Sequence, residues 1–224
     1  MIEVLWIAAA VLLGVLGGNG AVYVFNRIPA SWLCDYGEVP KEDKLQRQRI
    51  NSTPWKVIFS CLLIACGVYL VSRDPLFALA AIFVFWILIL ISIADAKYMI
   101  VPDQLCILLA LCSLGFINYH EKPLDMLYGA LMGFGVMFLV ALISKLITKK
   151  EGLGMGDVKL MAALGFILGL KGIVICIIGM SILSAMAFAV LMAWGKIKKT
   201  DYQPLAPYIS ASAAIYILVL WPIG

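Results

Sequence analysis

From Leu76 to Ala94 the chain carries no charged side chain. Uninterrupted apolar blocks of about 18 or more residues are read as bilayer spans, because a helix of that length crosses the hydrocarbon layer. Such blocks recur along the whole chain. Eight candidate spans fall at roughly 2–25, 55–72, 76–94, 103–118, 125–147, 157–170, 172–194 and 205–222. The sixth and eighth are short. Only Leu170 and Lys171 separate the sixth from the seventh, which leaves a tight turn or a re-entrant pair open. Of the 224 residues, 64% are hydrophobic and 13% charged, more apolar surface than a soluble domain of this size can hide. The alternating segments of about 10 residues that build a membrane β-barrel are absent from the pattern. The expected fold is therefore all-α, a polytopic helical membrane protein of about eight spans forming one membrane-embedded domain over 1–224. The first block has no basic flank, with Glu3 as its only early charge, and is too long for a signal-peptide core, so it is expected to stay as a helix.

Loop charge supplies the orientation. Of the 17 Lys and Arg residues, only Arg73, Lys122 and Lys171 fall on the side opposite loop 26–54. The rest collect on the side of that loop, which the positive-inside rule makes cytoplasmic. Both termini are then expected outside the cytoplasm. The net charge of +4 sits in short loops and gives no reason to expect nucleic acid. The 26–54 loop is the largest, and 41–49 is expected to form a short surface helix. Of the six cysteines (Cys34, Cys61, Cys66, Cys106, Cys112 and Cys176), no two form a C-x-x-C pair and five lie in apolar blocks, so no metal site is expected. The single His120 is expected in an outward turn far from the acids, without a proton-transfer role.

Two carboxylates stand out because ionised acids at membrane depth are costly and are kept for a purpose or face water. Asp95 ends the third span. Asp157 opens the sixth, after Gly152, Gly154 and Gly156. The charge-derived topology puts both at the cytoplasmic edge. Two carboxyl groups brought together cannot both ionise cheaply, so one keeps its proton. The ionised partner can then take a proton from water while the protonated one stabilises the oxyanion and later protonates the leaving amine. The glycines are expected to supply positive φ and close backbone approach for an extended peptide. Pro102 is expected to begin the fourth span, with Asp103 as an N-cap and as reserve partner in the pair. Taken alone, a G-x-G-D is weak evidence, since Asp is a common helix cap.

Their context is more specific. The segment from Asp95 to Pro102-Asp103 resembles the D-x6-P-D motif of type IV prepilin peptidases, and Gly154-Met155-Gly156-Asp157-Val158-Lys159-Leu160 resembles their G-x-G-D-V-K-L motif. Gly165 and Gly169 continue the second pattern. Gly18 to Pro29, ending Asn26-Arg27-Ile28-Pro29, is similar to the family's amino-terminal segment, and Pro204-Leu205-Ala206-Pro207-Tyr208 to its P-F-G-P-F segment. The resemblance implies an aspartic endopeptidase in the bacterial cell membrane with Asp95 and Asp157 as the catalytic pair. It also implies prepilin or pseudopilin substrates with a short basic leader, cut at the cytoplasmic face before a hydrophobic helix. Lys159 falls on the motif lysine, for which a local structural role is expected beside contact with membrane lipid. Many members carry two C-x-x-C pairs in the first cytoplasmic loop and N-methylate the product with S-adenosylmethionine. This loop holds Cys34 alone, and Asn19 stands where the family often has Ser. Zinc is therefore not expected, proteolysis needs no cofactor, and the loop reads as a reduced methyltransferase-associated region. Methylation stays open, with Asn26, Asp35, Glu38, Glu42 and Asp43 as polar candidates whose plainer role is a solvated loop face.

Two other functions fit parts of the pattern. Presenilin-like proteases also carry G-x-G-D, but pair it with a Tyr-Asp inside an earlier span, whereas Asp95 follows Ala94. A proton- or cation-coupled carrier would use the acids as an ion site, near the midplane rather than at one face.

Overall fold

The computed structural model describes residues 2–34, 37–148, 153–196 and 202–222. In chain order they form α1 (Ile2–Arg27), a short α2 (Glu42–Leu45), α3 (Trp55–Val71), α4 (Pro75–Tyr98), α5 (Asp103–Cys112), α6 (Pro123–Thr148), α7 (Met155–Ala193) and α8 (Ala206–Ile215). A 3-10 segment, Ser113–Tyr119, prolongs α5, and a π-helical turn, Tyr216–Leu220, prolongs α8. The described residues contain no strand, as the apolar blocks require. Four helices are long and apolar enough to cross a membrane, Glu3–Arg27, Pro75–Tyr98, Pro123–Ile147 and Met155–Ala193; three further apolar segments are shorter.

α4 is the central post. It packs against α1, α3, α5 and α8, and 61% of its most apolar window is buried against 22% for α1, so its all-round hydrophobicity meets protein on most sides. Its ends are built from local chemistry. Asp74 accepts the Phe77 N–H at 2.8 Å ahead of Pro75 in the first turn. Burial opposes the charge on Asp74, but the bonds from Phe77 and the Tyr119 hydroxyl outweigh it and hold this carboxyl below its ordinary value. At the other end Met99 takes the left-handed conformation (φ 54°), and its N–H closes on the Asp95 carbonyl. That stop turns the chain into the 100–102 connection directly after Asp95.

α7 is 39 residues long, too long for one straight crossing, and it breaks at Gly169 (φ 67°). Gly133 of α6 shows what the break does. A Cβ there would meet both the Met161 carbonyl and Ile173 Cγ1. In a straight helix those two residues lie about 18 Å apart, beyond the reach of one neighbour. The chain therefore folds back at Gly169, and 155–168 and 170–193 stand side by side against α6. This is the tight turn that the sequence left open, centred at Gly169 instead of at Leu170 and Lys171. His120 supports it. Its side chain is 5% exposed, and Nε2 sits 2.9 Å from the Ile167 carbonyl, which can only accept, so Nε2 donates. Asp125 lies 3.6 Å from the other ring nitrogen. His120 thus lies in the turn between the 3-10 segment and α6, with its side chain directed inward as a structural donor.

The 26–54 loop also differs from a solvated strap. The expected 41–49 helix is reduced to Glu42–Leu45. Arg49 is buried, and its guanidinium donates to the Phe25, Ile28 and Lys44 carbonyls. Two of those carbonyls belong to the end of α1, where intrahelical donors run out. Asn26 Oδ1 accepts the Arg49 and Ile50 N–H groups, its amide donates to the Ile50 carbonyl, and Lys97 donates to the Arg49 carbonyl. The loop is therefore bolted to the ends of α1 and α4. Asp35, Lys149, Lys150, Gly152, Lys198 and Lys199, used in the charge and site readings, lie outside the described residues.

Gly169→Ala puts a side chain into left-handed backbone and onto Asp125 and His120. The backbone term alone costs about 1–3 kcal/mol, since φ 67° with ψ −178° is a region essentially reserved for glycine. The variant is expected to unfold at a clearly lower temperature in detergent, followed by circular dichroism; an unchanged midpoint contradicts the reversal at Gly169.

Candidate active site

Asp95 lies in the last turn of α4 and Asp157 in the first turn of α7, 6% and 8% exposed. The α4 stop at Met99 and the α7 start at Gly154 bring the two helix ends to one cleft of about 850 Å³, which both acids line. Their settings differ. Asp95 Oδ2 accepts the Ala206 N–H at 2.7 Å, a free donor at the start of α8. No described group bonds Asp157 Oδ1. One carboxyl is fixed by a backbone donor, and the other has a buried oxygen without a partner. Such a pair can share one proton and polarise a water between its members, and it titrates as a unit.

The neighbouring motif residues have other tasks than expected. Asp103 is the first residue of α5 and Pro102 its N-cap, so Asp103 does not cap the helix as predicted. Instead Lys159 donates to both Asp103 oxygens, at 2.8 and 2.9 Å. That ion pair joins α5 to α7 on the cleft wall. Gly154 is the N-cap of α7 at φ −70°, and the positive-φ glycines among the described residues are Gly37, Gly169 and Gly195. Neither Gly154 nor Gly156 therefore uses left-handed backbone. The value of Gly156 is close approach: a Cβ there would lie 2.8 Å from Val101 Cβ, so the second acid loop packs onto the connection after Asp95. Ala206 was missed, because a backbone N–H has no side-chain signature. Its faint signal was Pro207, a proline placed to start a helix.

The loop candidates for a methyl donor separate in the same way. Asn26 is consumed in bonding Arg49 and Ile50. Glu42 and Asp43 are exposed, and Glu38 lines the mouth of the cleft. Among the described residues, Asp157 Oδ1 is the buried side-chain polar atom without a partner. Cys34 Sγ bonds the Ala30 carbonyl, and the described residues contain no cluster of three or more metal-ligating side chains.

Comparison with known proteins bears on the same stretch. The type IV leader peptidase family model matches residues 82–193, which contain both acids and half of the chain. The chain belongs to the type IV leader peptidase family. It is 32% identical over 145 residues to the prepilin leader peptidase/N-methyltransferase of Aeromonas salmonicida, covering 64% of this chain and 49% of that protein. The like-named protein of Bacillus subtilis is 29% identical over 165 residues, 73% of this chain and 64% of its own length. That of Pseudomonas putida is 31% identical over 179 residues, 78% and 61%. The matches thus span about half to two thirds of those curated relatives. No solved structure matches the chain. As a family member with several long apolar helices, it is a multi-pass membrane protein.

The Asp103–Lys159 pair is 29% and 40% exposed, so it is expected to contribute little. A double-mutant cycle of Asp103→Asn and Lys159→Met, read by thermal unfolding in detergent, should give a coupling of about 0.2–1 kcal/mol. A coupling several times larger contradicts a solvent-screened strut.

Proposed function

We propose that this protein is a membrane aspartic endopeptidase that removes the short basic leader from type IV prepilins or pseudopilins, with Asp95 and Asp157 as the catalytic pair. The observation that carries the reading is the meeting of the two motif acids in one cleft at the ends of α4 and α7. In the reaction, one carboxylate takes a proton from water as the oxygen attacks the scissile carbonyl. The protonated partner holds the oxyanion and then passes its proton to the departing amine. The Ala206 N–H keeps Asp95 oriented through this exchange. Gly154 and Gly156 let the acid loop pack closely, Pro102 starts α5, and Asp103 with Lys159 braces the wall.

We place the cleft at the cytoplasmic face of a bacterial cell membrane, on the distribution of Lys and Arg. With the reversal at Gly169 counted, the chain makes eight passes and both termini lie outside, as one peptidase unit over 1–224. Its macromolecular partners are the pilin-like substrate and membrane lipid, and nucleic acid has no role. Proteolysis requires neither a cofactor nor zinc. The 26–54 loop serves to bind α1 to α4; no step is assigned through S-adenosylmethionine, and methylation is a separate question for the mass of the product.

The test is leader removal from a co-expressed prepilin. Asp95→Ala and Asp157→Ala should each abolish processing while the protein still inserts in the membrane. Normal processing by both variants overturns the reading.

A further inference from the structure

The acid cleft has a wall that neither acid motif supplies. Ser31, Trp32, Cys34 and Glu38 line it together with Asp95 and Asp157. All four come from the first part of the 26–54 loop. The wall has little support of its own. Its core is one 3-10 turn, Ala30–Leu33, with no side-chain cap bond. Within it the Trp32 N–H donates to the Pro29 carbonyl at 3.0 Å, and Cys34 Sγ bonds the Ala30 carbonyl at 3.1 Å. Leu33 sinks into the apolar core, and the residues beside it face the cleft. A single turn of this kind does not stay in place unaided.

Arg49 fixes where the wall begins. Its Nη1 donates to the Phe25 and Ile28 carbonyls at 3.1 and 2.6 Å, and its Nε to the Lys44 carbonyl at 2.9 Å. Pro29 alone separates Ile28 from the 3-10 turn. The main chain of Arg49 is tied to the other side of the cleft. Lys97 donates to the Arg49 carbonyl. Tyr98 stacks on Phe25 with ring centroids 6.5 Å apart. Lys97 and Tyr98 stand two and three residues after Asp95. The side chain of Arg49 thus grips the root of the wall, while its carbonyl is held by the helix end that carries an acid. Arg49 is not among the residues lining the cleft.

The residue type suits the task. A guanidinium spreads its N–H donors in one plane and can serve carbonyls from two segments at once, whereas an ammonium is a compact point donor. Arg49 is 8% exposed, so water does not readily replace these bonds when the side chain is lost.

We propose that Arg49 is a positioning residue for proteolysis, setting the distance between the 31–34 wall and the end of α4 that carries Asp95. This rests on the peptidase reading above. Without the guanidinium the wall draws away, the cleft widens and the substrate peptide is held less closely over the acids. Asp95, Asp157 and the Ala206 N–H keep their places, so the loss falls on binding before chemistry.

The test uses the purified full chain, Arg49→Met and Arg49→Lys, with a synthetic prepilin-like peptide that spans the leader junction. Each protein is assayed below its own unfolding midpoint. Arg49→Met should lower kcat/KM by roughly 10–100-fold, chiefly through KM. Arg49→Lys should recover part of that loss, because an ammonium still serves some of the carbonyls. An unchanged KM in Arg49→Met confines Arg49 to stability and overturns the proposal. Where Arg49→Met does not fold, Arg49→Lys decides: a raised KM supports the proposal and an unchanged one overturns it. A second readout needs no cleavage. A water-soluble maleimide, followed by peptide mass mapping, should label Cys34 several-fold faster in the variant than in the wild type, while the buried Cys106 and Cys176 stay unlabelled. Equal rates at Cys34, or labelling of the buried pair as well, overturn the proposal. No cleavage by the wild type overturns the peptidase reading itself, a separate result, and the labelling then judges the wall alone.

Discussion

Asp157 Oδ1 is buried at the mouth of α7 with no described partner, next to a second carboxyl that a backbone N–H holds in place. Leaving a buried polar oxygen unbonded costs on the order of 1–3 kcal/mol, and a charged one costs more. Proteins tolerate such a cost where the group has work to do. The rest of the structure serves this arrangement. The left-handed stop at Met99 ends α4 just past Asp95, Gly156 lets the acid loop settle on Val101, and the first free N–H of α8 points at Asp95.

The reversal at Gly169 matters as much to the site as the motifs around it. Because the chain folds back there, the second half of α7 runs back toward the end from which the first half started. α8 can then begin beside the acids, with Ala206 close enough to bond one of them. His120 and Asp125 stabilise this reversal from the α6 side, about 15 Å along the helix from Asp157. They act on the architecture, whereas the chemistry is proposed for the two acids.

Much of this was legible in the sequence, for definite reasons. Long apolar blocks leave a helical membrane fold as the economical solution. The two acids were legible because charge at the end of an apolar block is rare. Other features left no such trace. Arg49 reads as one more solvated loop cation, and only its three carbonyl partners reveal it as a buried bolt. Asp103 reads as a helix cap because Asp often is one, yet Pro102 occupies that position and Lys159 claims the carboxylate. Gly169 looks like any glycine in an apolar run, since φ is invisible in the letter. Ala206 acts through its backbone alone.

The central claim is that Asp95 and Asp157 work as one proton-sharing pair. The most direct measurement is kcat/KM for leader removal across pH by the purified protein. The account predicts a bell-shaped profile with two limbs belonging to the pair, because activity needs one carboxyl ionised and one protonated. A profile that is flat, or that has one limb only, would contradict it.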